Sequence, residues 1–233
     1  MIEQFAINIE QVKAADLGDI KKILSGEKIA RVERFRFEAD QVRSIVGEAM
    51  VRCLLGEKYG MEAANIRFGY GEKEKPCLLS PHGDVDFNIS HAGAWVVCGI
   101  GNSGMGIDVE LVREREVPLA KAVLTAEEYR AWSGFSAEEQ NLYFYRHWTL
   151  KEAYVKYLGV GLSMDFSGIL PESQADGFYS IRGDADCIVF SQRLASDYPL
   201  SICIEREKKE ELVTAVTVLT VEELQRFVRN RME

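Results

Sequence analysis

Histidine is scarce in this 233-residue chain. There are three, His82, His91 and His147, and none stands at a metal-ligand spacing from another. That excludes a zinc site built on paired imidazoles. Cys53, Cys77, Cys98, Cys187 and Cys203 form no Cys-x-x-Cys pair, and five is an odd number. Most lie among apolar residues, as in Trp95-Val96-Val97-Cys98, so they read as buried free thiols in a reducing compartment rather than a disulfide framework. No Gly-x-Ser-x-Gly occurs, which removes the nucleophile elbow. No stretch reaches the ~20 apolar residues of a membrane span. The N-terminus shows no charged leader followed by an apolar run, so the expected location is the cytoplasm. Positive charge is also short: 28 Lys and Arg against 37 Asp and Glu give a formal net charge of −9. General nucleic-acid binding, which draws its affinity from many phosphate-neutralising cations, is thereby excluded. A local basic patch can still hold a small anion.

What is present is the patterning of a mixed α/β chain. Phe5 to Ile9 reads as an opening strand, and residues 16–36 as helical with a break near Ser25-Gly26. From Ala39 to Tyr59, apolar residues recur at helical spacing (Val42, Ile45, Val46, Ala49, Met50, Cys53, Leu54), with Gly60 as the stop. Short strands are expected at Ile66–Tyr70 and Val85–Ile89, with a loop at Gly71–Gly83. Ala94–Gly101 and Met105–Val112 read as two strands joined in a hairpin by Asn102-Ser103-Gly104. Pro118–Leu124 and Ala126–Trp132 read as short helices. Ala137–Leu158 is a long one, ended by Gly159-Val160-Gly161. The remainder reads as β-structure to about Leu219, and Thr220-Val221-Glu222-Glu223 opens a last helix. No linker divides the chain, so two intimate halves are expected to meet near residue 105, at 1–104 and 105–233.

Gly106-Ile107-Asp108-Val109-Glu110 is the most informative stretch. On a strand, residues i and i+2 share a face, so Asp108 and Glu110 stand side by side. Alone, this is equally well a half-exposed strand with its acids in water. Trp148, Glu152 and Lys156, at i, i+4 and i+8 of the long helix, share another face. An exposed Glu–Lys pair is the plain reading, but Trp148 favours burial and turns that face inward. If Glu152 meets Asp108 and Glu110, the repulsion demands a cation or a shifted pKa. All-oxygen ligands then favour Mg²⁺ or Mn²⁺, with Lys156 placed to touch a phosphate on the same ion.

Lys28, Arg31, Arg34, Arg36 and Arg43 form a basic cluster, interleaved with Glu27, Glu33, Glu38 and Asp40. By itself that is a solvated helix surface. Lys75-Pro76 adds a cation beside a rigid turn, and Ser90-His91 ends a strand with groups able to bind phosphate or simply to face solvent. Gly99-Ile100-Gly101-Asn102-Ser103-Gly104 matches a dinucleotide fingerprint, but a strand rather than a helix follows it, so the match is a decoy.

Taken together, Phe87-Asn88-Ile89-Ser90-His91-Ala92-Gly93, Gly106-Ile107-Asp108-Val109-Glu110 and Trp148-Thr149-Leu150-Lys151-Glu152-Ala153 with Lys156 resemble the surfactin-type 4′-phosphopantetheinyl transferases. Order and spacing both fit, and the weaker likeness of Lys28–Arg43 and Lys75-Pro76-Cys77 extends it over roughly residues 1–165. The resemblance implies an α/β (α+β) monomer of two pseudo-symmetric halves, each a small sheet packed with helices, with coenzyme A between them. It implies that Asp108, Glu110 and Glu152 hold Mg²⁺ and that Lys156 contacts the pyrophosphate. Ser90, His91, Lys28, Arg31 and Arg43 would serve the 3′-phosphate, and Lys75 and Pro76 the adenine side. Val109, apolar at the centre of its motif, cannot ligate metal. The acceptor would be a serine of an apo acyl, peptidyl or polyketide carrier protein, with Glu152, then Glu128, as candidate bases. Val117–Leu124 is as well explained by core packing as by carrier docking. A phosphate-anhydride hydrolase and a non-catalytic coenzyme A-binding module are the rival readings.

Overall fold

The computed structural model describes residues 1–71, 75–79, 85–114, 117–161 and 164–230. Pro81 and His82, and part of the expected 71–83 loop, lie outside them. Near the N-terminus come strand β1 (Ile2–Asn8), helices α1 (Gly18–Lys21) and α2 (Gly26–Val32), and helix α3 (Glu38–Tyr59). A small ribbon follows, β2 (Phe68–Tyr70) with β3 (Pro76–Leu78), then β4 (Asp86–Ala92), β5 (Trp95–Gly101) and β6 (Met105–Val109). Helices α4 (Val117–Val123), α5 (Ala126–Trp132) and α6 (Ala137–Leu158) lead to strands β7 (Pro171–Ser173), β8 (Phe178–Ile181), β9 (Asp184–Ala195) and β10 (Tyr198–Glu205). Strand β11 (Leu212–Leu219) and helix α7 (Val221–Asn230) close the chain.

The two main sheets run β11-β1-β5-β4 and β6-β10-β9-β8-β7. Strand alternation sorts their side chains into four layers. From β5, Val96, Cys98 and Ile100 pack with Val42, Ile45, Val46, Ala49 and Met50 of α3. Val97, on the opposite face, joins Ile2 and Ala6 against Met105, Ile107, Val109, Leu200, Ile202 and Ile204 of the second sheet. The far face of that sheet, through Cys187, Val189 and Cys203, packs on Leu150, Ala153, Tyr154 and Val155 of α6. The order is helix, sheet, sheet, helix. Each half thus lays a 22-residue helix on a sheet, and each helix stops at a glycine in the left-handed region, Gly60 (φ 69°) and Gly159 (φ 66°). The two-half α/β architecture expected from the sequence is what folds.

Two expectations fail. Asn102-Ser103-Gly104 does not turn a hairpin. Both edges of β5 are taken, by β1 and β4, so β6 has no edge to join there and pairs with β10 in the other sheet. The C-terminal β-structure also does not all stay in the second half. β11 lies parallel to β1, and Val221, Leu224 and Val228 of α7 join the α3 core, so residues 212–230 return to the first sheet. In the expected helical stretch 16–36 the break near Ser25-Gly26 is found, with the Ser25 hydroxyl capping α2 by accepting the Lys28 N–H, but the helix ends early, at Val32. The five cysteines form no disulfide; Cys77 is half-buried and the others are buried. Among the described residues, no helix is long and apolar enough to cross a membrane.

Candidate functional site

β6 is where the two sheets meet chemically. Its alternate residues Met105, Ile107 and Val109 enter the core between the sheets, which sends Gly106 and Asp108 toward α6. Gly106 has to be glycine: a Cβ there would run into the backbone of Ala153, Lys156 and Tyr157. That close approach brings Asp108 beside Glu152 and Lys156.

Asp108 is 4% exposed. Its Oδ1 accepts from Lys156 Nζ at 2.6 Å and from Ser90 Oγ at 2.8 Å, while its buried Oδ2 has no hydrogen-bond partner among the described residues. Lys156 also donates to Ser90 Oγ (3.0 Å) and to the Ile107 carbonyl (3.1 Å). The exposed i, i+4 pair between Glu152 and Lys156, the plainer reading of that spacing, is not made, because the ammonium goes to Asp108. Burial first, then the Asp108 charge, raises the Glu152 carboxyl to about 7, with Lys156 opposing. Glu110 follows β6 and lines the same wall.

These groups face a cleft of about 520 Å³ between the halves. Lys28, Arg31, Arg43, Lys75, Pro76, Ser90 and His91 line it together with Asp108, Glu110, Glu152 and Lys156. Each was singled out from the sequence, and the fold places all of them around one cavity. Arg34 and Arg36 are not among the lining residues. Lys28 is held by Glu48 at 3.2 Å, and Glu48 also takes Arg52 at 2.8 Å. Burial lowers the Lys28 pKa and Glu48 resists. Arg43 donates to the Gly93 carbonyl at 2.7 Å and pairs with Asp40 at 2.6 Å. Of the interleaved acids, Asp40 positions a cation of the cluster, whereas Lys28 is held by Glu48 from α3. At the cleft wall, desolvation, with Arg43 and Lys156 nearby, keeps His91 below its ordinary pKa. In a chain of net charge −9, this wall gathers four Lys and Arg side chains, Lys28, Arg31, Arg43 and Lys75. Such a wall opposite carboxylates suits a polyphosphate and a divalent cation held together.

Glu128 does not belong to this site. Its Oε2 accepts from Lys151 Nζ at 2.6 Å and from the Thr125 N–H at 2.8 Å, and it lines a separate groove with Thr125 and His147. A carboxylate already committed to a buried ammonium and a helix cap is a poor base, which corrects that candidate.

Sequence reasoning missed Glu48, Phe68, Ser44 and Asn88, which also line the cleft. Asn88 had a usable signal, since it sits at i−2 from Ser90 on β4 and so shares its face. As placed, no three Asp, Glu, His or Cys side chains among the described residues enclose an ion. The oxygens nevertheless fit a hard one: among the described residues, Asp108 Oδ2 and the Glu152 carboxyl make no hydrogen bond.

Comparison with known proteins matches residues 104–216 to the family model for the 4′-phosphopantetheinyl transferase superfamily, and residues 12–101 to that for the 4′-phosphopantetheinyl transferase N-terminal region. A Bacillus subtilis 4′-phosphopantetheinyl transferase is 31% identical over 183 residues, 77% of this chain and 81% of its own. The 4′-phosphopantetheinyl transferase psf-1 of Bacillus pumilus is 31% identical over 201 residues, 85% and 86% of the two chains. Among solved structures, the Bacillus anthracis holo-(acyl-carrier-protein) synthase in complex with CoA (3′,5′-ADP) covers 44% of this chain and 94% of its own, at 22% identity and a TM-score of 0.37.

Proposed function

As the chain belongs to the 4′-phosphopantetheinyl transferase family and is a transferase, we propose that it moves the phosphopantetheine group of coenzyme A onto a serine of an apo carrier protein, with Mg²⁺, releasing 3′,5′-ADP. The observation that carries this reading is the cleft itself. Basic side chains from the first half and the Asp108–Glu152 wall of the second line one cavity, and a buried Asp108 oxygen there has no hydrogen-bond partner among the described residues.

Lys28, Arg31, Arg43, Ser90 and His91 would bind the 3′-phosphate, with Lys75 and Pro76 on the adenine side. Asp108, Glu110 and Glu152 would hold Mg²⁺, with Mn²⁺ as a substitute. When bound, the ion would neutralise charge on the pyrophosphate. The serine Oγ attacks the pantetheine-side phosphorus, and the bond to the bridging oxygen breaks. That oxygen departs on 3′,5′-ADP, and Lys156 steadies its charge. The serine proton would go to Glu152, which lines the cleft beside Asp108. No protein nucleophile is required, because such transfer depends on positioning and electrostatics. Val117 (48% exposed) and Leu119 (37% exposed) on α4 offer an apolar contact for the carrier.

Release of 3′,5′-ADP separates the readings. A transferase releases it from coenzyme A only when an apo carrier is supplied, mole for mole with modified carrier. Release without a carrier would mark a phosphate-anhydride hydrolase, and none under any condition a binding module.

A further inference from the structure

The outer edge of β6 faces β4 without a backbone ladder, yet it is not left open. The Met105 N–H donates to Asp86 Oδ2 (3.3 Å), the Ile107 N–H to Asn88 Oδ1 (2.8 Å), and the Val109 N–H to Ser90 Oγ (3.4 Å). The Met105 carbonyl accepts from Lys75 Nζ at 2.8 Å, and the Ile107 carbonyl from Lys156 Nζ. Three alternate side chains of one sheet thus stand where a neighbouring strand's carbonyls would be.

The three rungs are not equal. Asp86 also takes its Phe87 N–H and Lys75, and Ser90 serves Asp108 and Lys156. Asn88 is 5% exposed, gives the shortest rung, and grips the residue immediately before Asp108. We propose that Asn88 is a positioning residue for the transfer: its side-chain oxygen fixes the height of β6 and so the place of Asp108 between the halves. This rests on the reading of Asp108 as a metal ligand. Asn88 acts through the strand rather than on the substrate. Displacements near 1 Å at such a site can cost about 100-fold in rate, and outer-shell partners of metal ligands about 10- to 100-fold.

The test compares Asn88→Ala with Asn88→Asp, which keeps an acceptor oxygen at the same place. Hydrogen exchange at the Ile107 amide, followed by NMR, reads the contact without metal or substrate. Mn²⁺ affinity by electron paramagnetic resonance and kcat against KM for coenzyme A read its consequence. Asn88→Ala should speed Ile107 exchange and lower kcat, each by roughly tenfold or more, and weaken Mn²⁺ by about tenfold, with KM for coenzyme A within about threefold. Asn88→Asp should restore all three to within about threefold. Unchanged Ile107 exchange in Asn88→Ala overturns the contact. A loss confined to KM makes Asn88 a ligand group instead, and Asp failing as badly as Ala overturns the acceptor role even if the Ala variant does not fold. A wild type indifferent to Mn²⁺ sinks the metal reading, and with it the consequence drawn here, while the exchange rates still decide the contact.

Discussion

Helix α6 presents two lysines, Lys151 and Lys156, each 2.6 Å from a carboxylate, and the surroundings of the two pairs differ sharply. Lys151 is fully buried. Its ammonium gives its bonds to Glu128 and to the Val123 and Phe166 carbonyls, tying α6 to α4 and α5 and to the chain beyond it. Lys156 also makes three bonds, but it is 27% exposed and lines the cleft. In each pair the second carboxylate oxygen, Glu128 Oε1 or Asp108 Oδ2, is buried without a hydrogen-bond partner among the described residues. The first pair is sealed from solvent, and the second opens on the cleft, where a ligand's charges can reorganise it. A Lys–acid distance therefore carries little functional information until the exposure of the cation and the space beside it are known.

The contrast can be broken first at its closed end. Lys151→Met leaves Glu128 buried without its cation and should cost about 3–5 kcal/mol by chemical denaturation. Adding Glu128→Gln, which keeps the Thr125 cap, should recover much of that, and a mild effect of Lys151→Met would show that the pair is not sealed. At the open end, Asp108→Ala should lower transfer by roughly 10²-fold or more. Lys156 keeps Ser90 and the Ile107 carbonyl, so the melting temperature should stay within about 3 °C of wild type. Near-normal turnover would remove Asp108 from the site.

Glu152 sharpens the contrast through pH. Its carboxyl sits near 7 in the fold against an ordinary 4.5. Between those values the folded protein holds a proton the unfolded chain has released, so metal-free stability falls as pH rises from about 4.5 to about 7, then levels off. Glu152→Gln should flatten that slope and raise the melting temperature at pH 8 by about 3–5 °C. Parallel pH profiles for the two proteins would contradict the burial argument. The smallest effect is expected at His91, where alanine should weaken coenzyme A about fivefold and its 3′-dephosphorylated analogue less than twofold. Equal losses would move His91 away from the 3′-phosphate.

Much of this was legible in the sequence, for physical reasons. The helices Glu38–Tyr59 and Ala137–Leu158 announce themselves by apolar period and by Gly60 and Gly159. The period of two put Asp108 and Glu110 on one face, and the Trp148–Glu152–Lys156 spacing turned that face inward. What had no sequence period was not legible. Whether β6 pairs with β5 depended on which edges β1 and β4 had already filled. The return of β11 to β1 joins residues more than 200 positions apart. The choice of Lys156 for Asp108, and of Lys151 for Glu128, depends on the crossing of α6 over the second sheet and on α5. Glu128 was a candidate base through the resemblance and Asn88 was given no role, because neither resemblance nor local pattern shows what a side chain meets across an interface.

The most direct test is the mass of an apo carrier protein after incubation with the enzyme, coenzyme A and Mg²⁺. The arrangement described here predicts a gain of one phosphopantetheine on a single serine, absent when the cation is chelated. A carrier of unchanged mass, recovered beside intact coenzyme A across acyl, peptidyl and polyketide carriers, would contradict it.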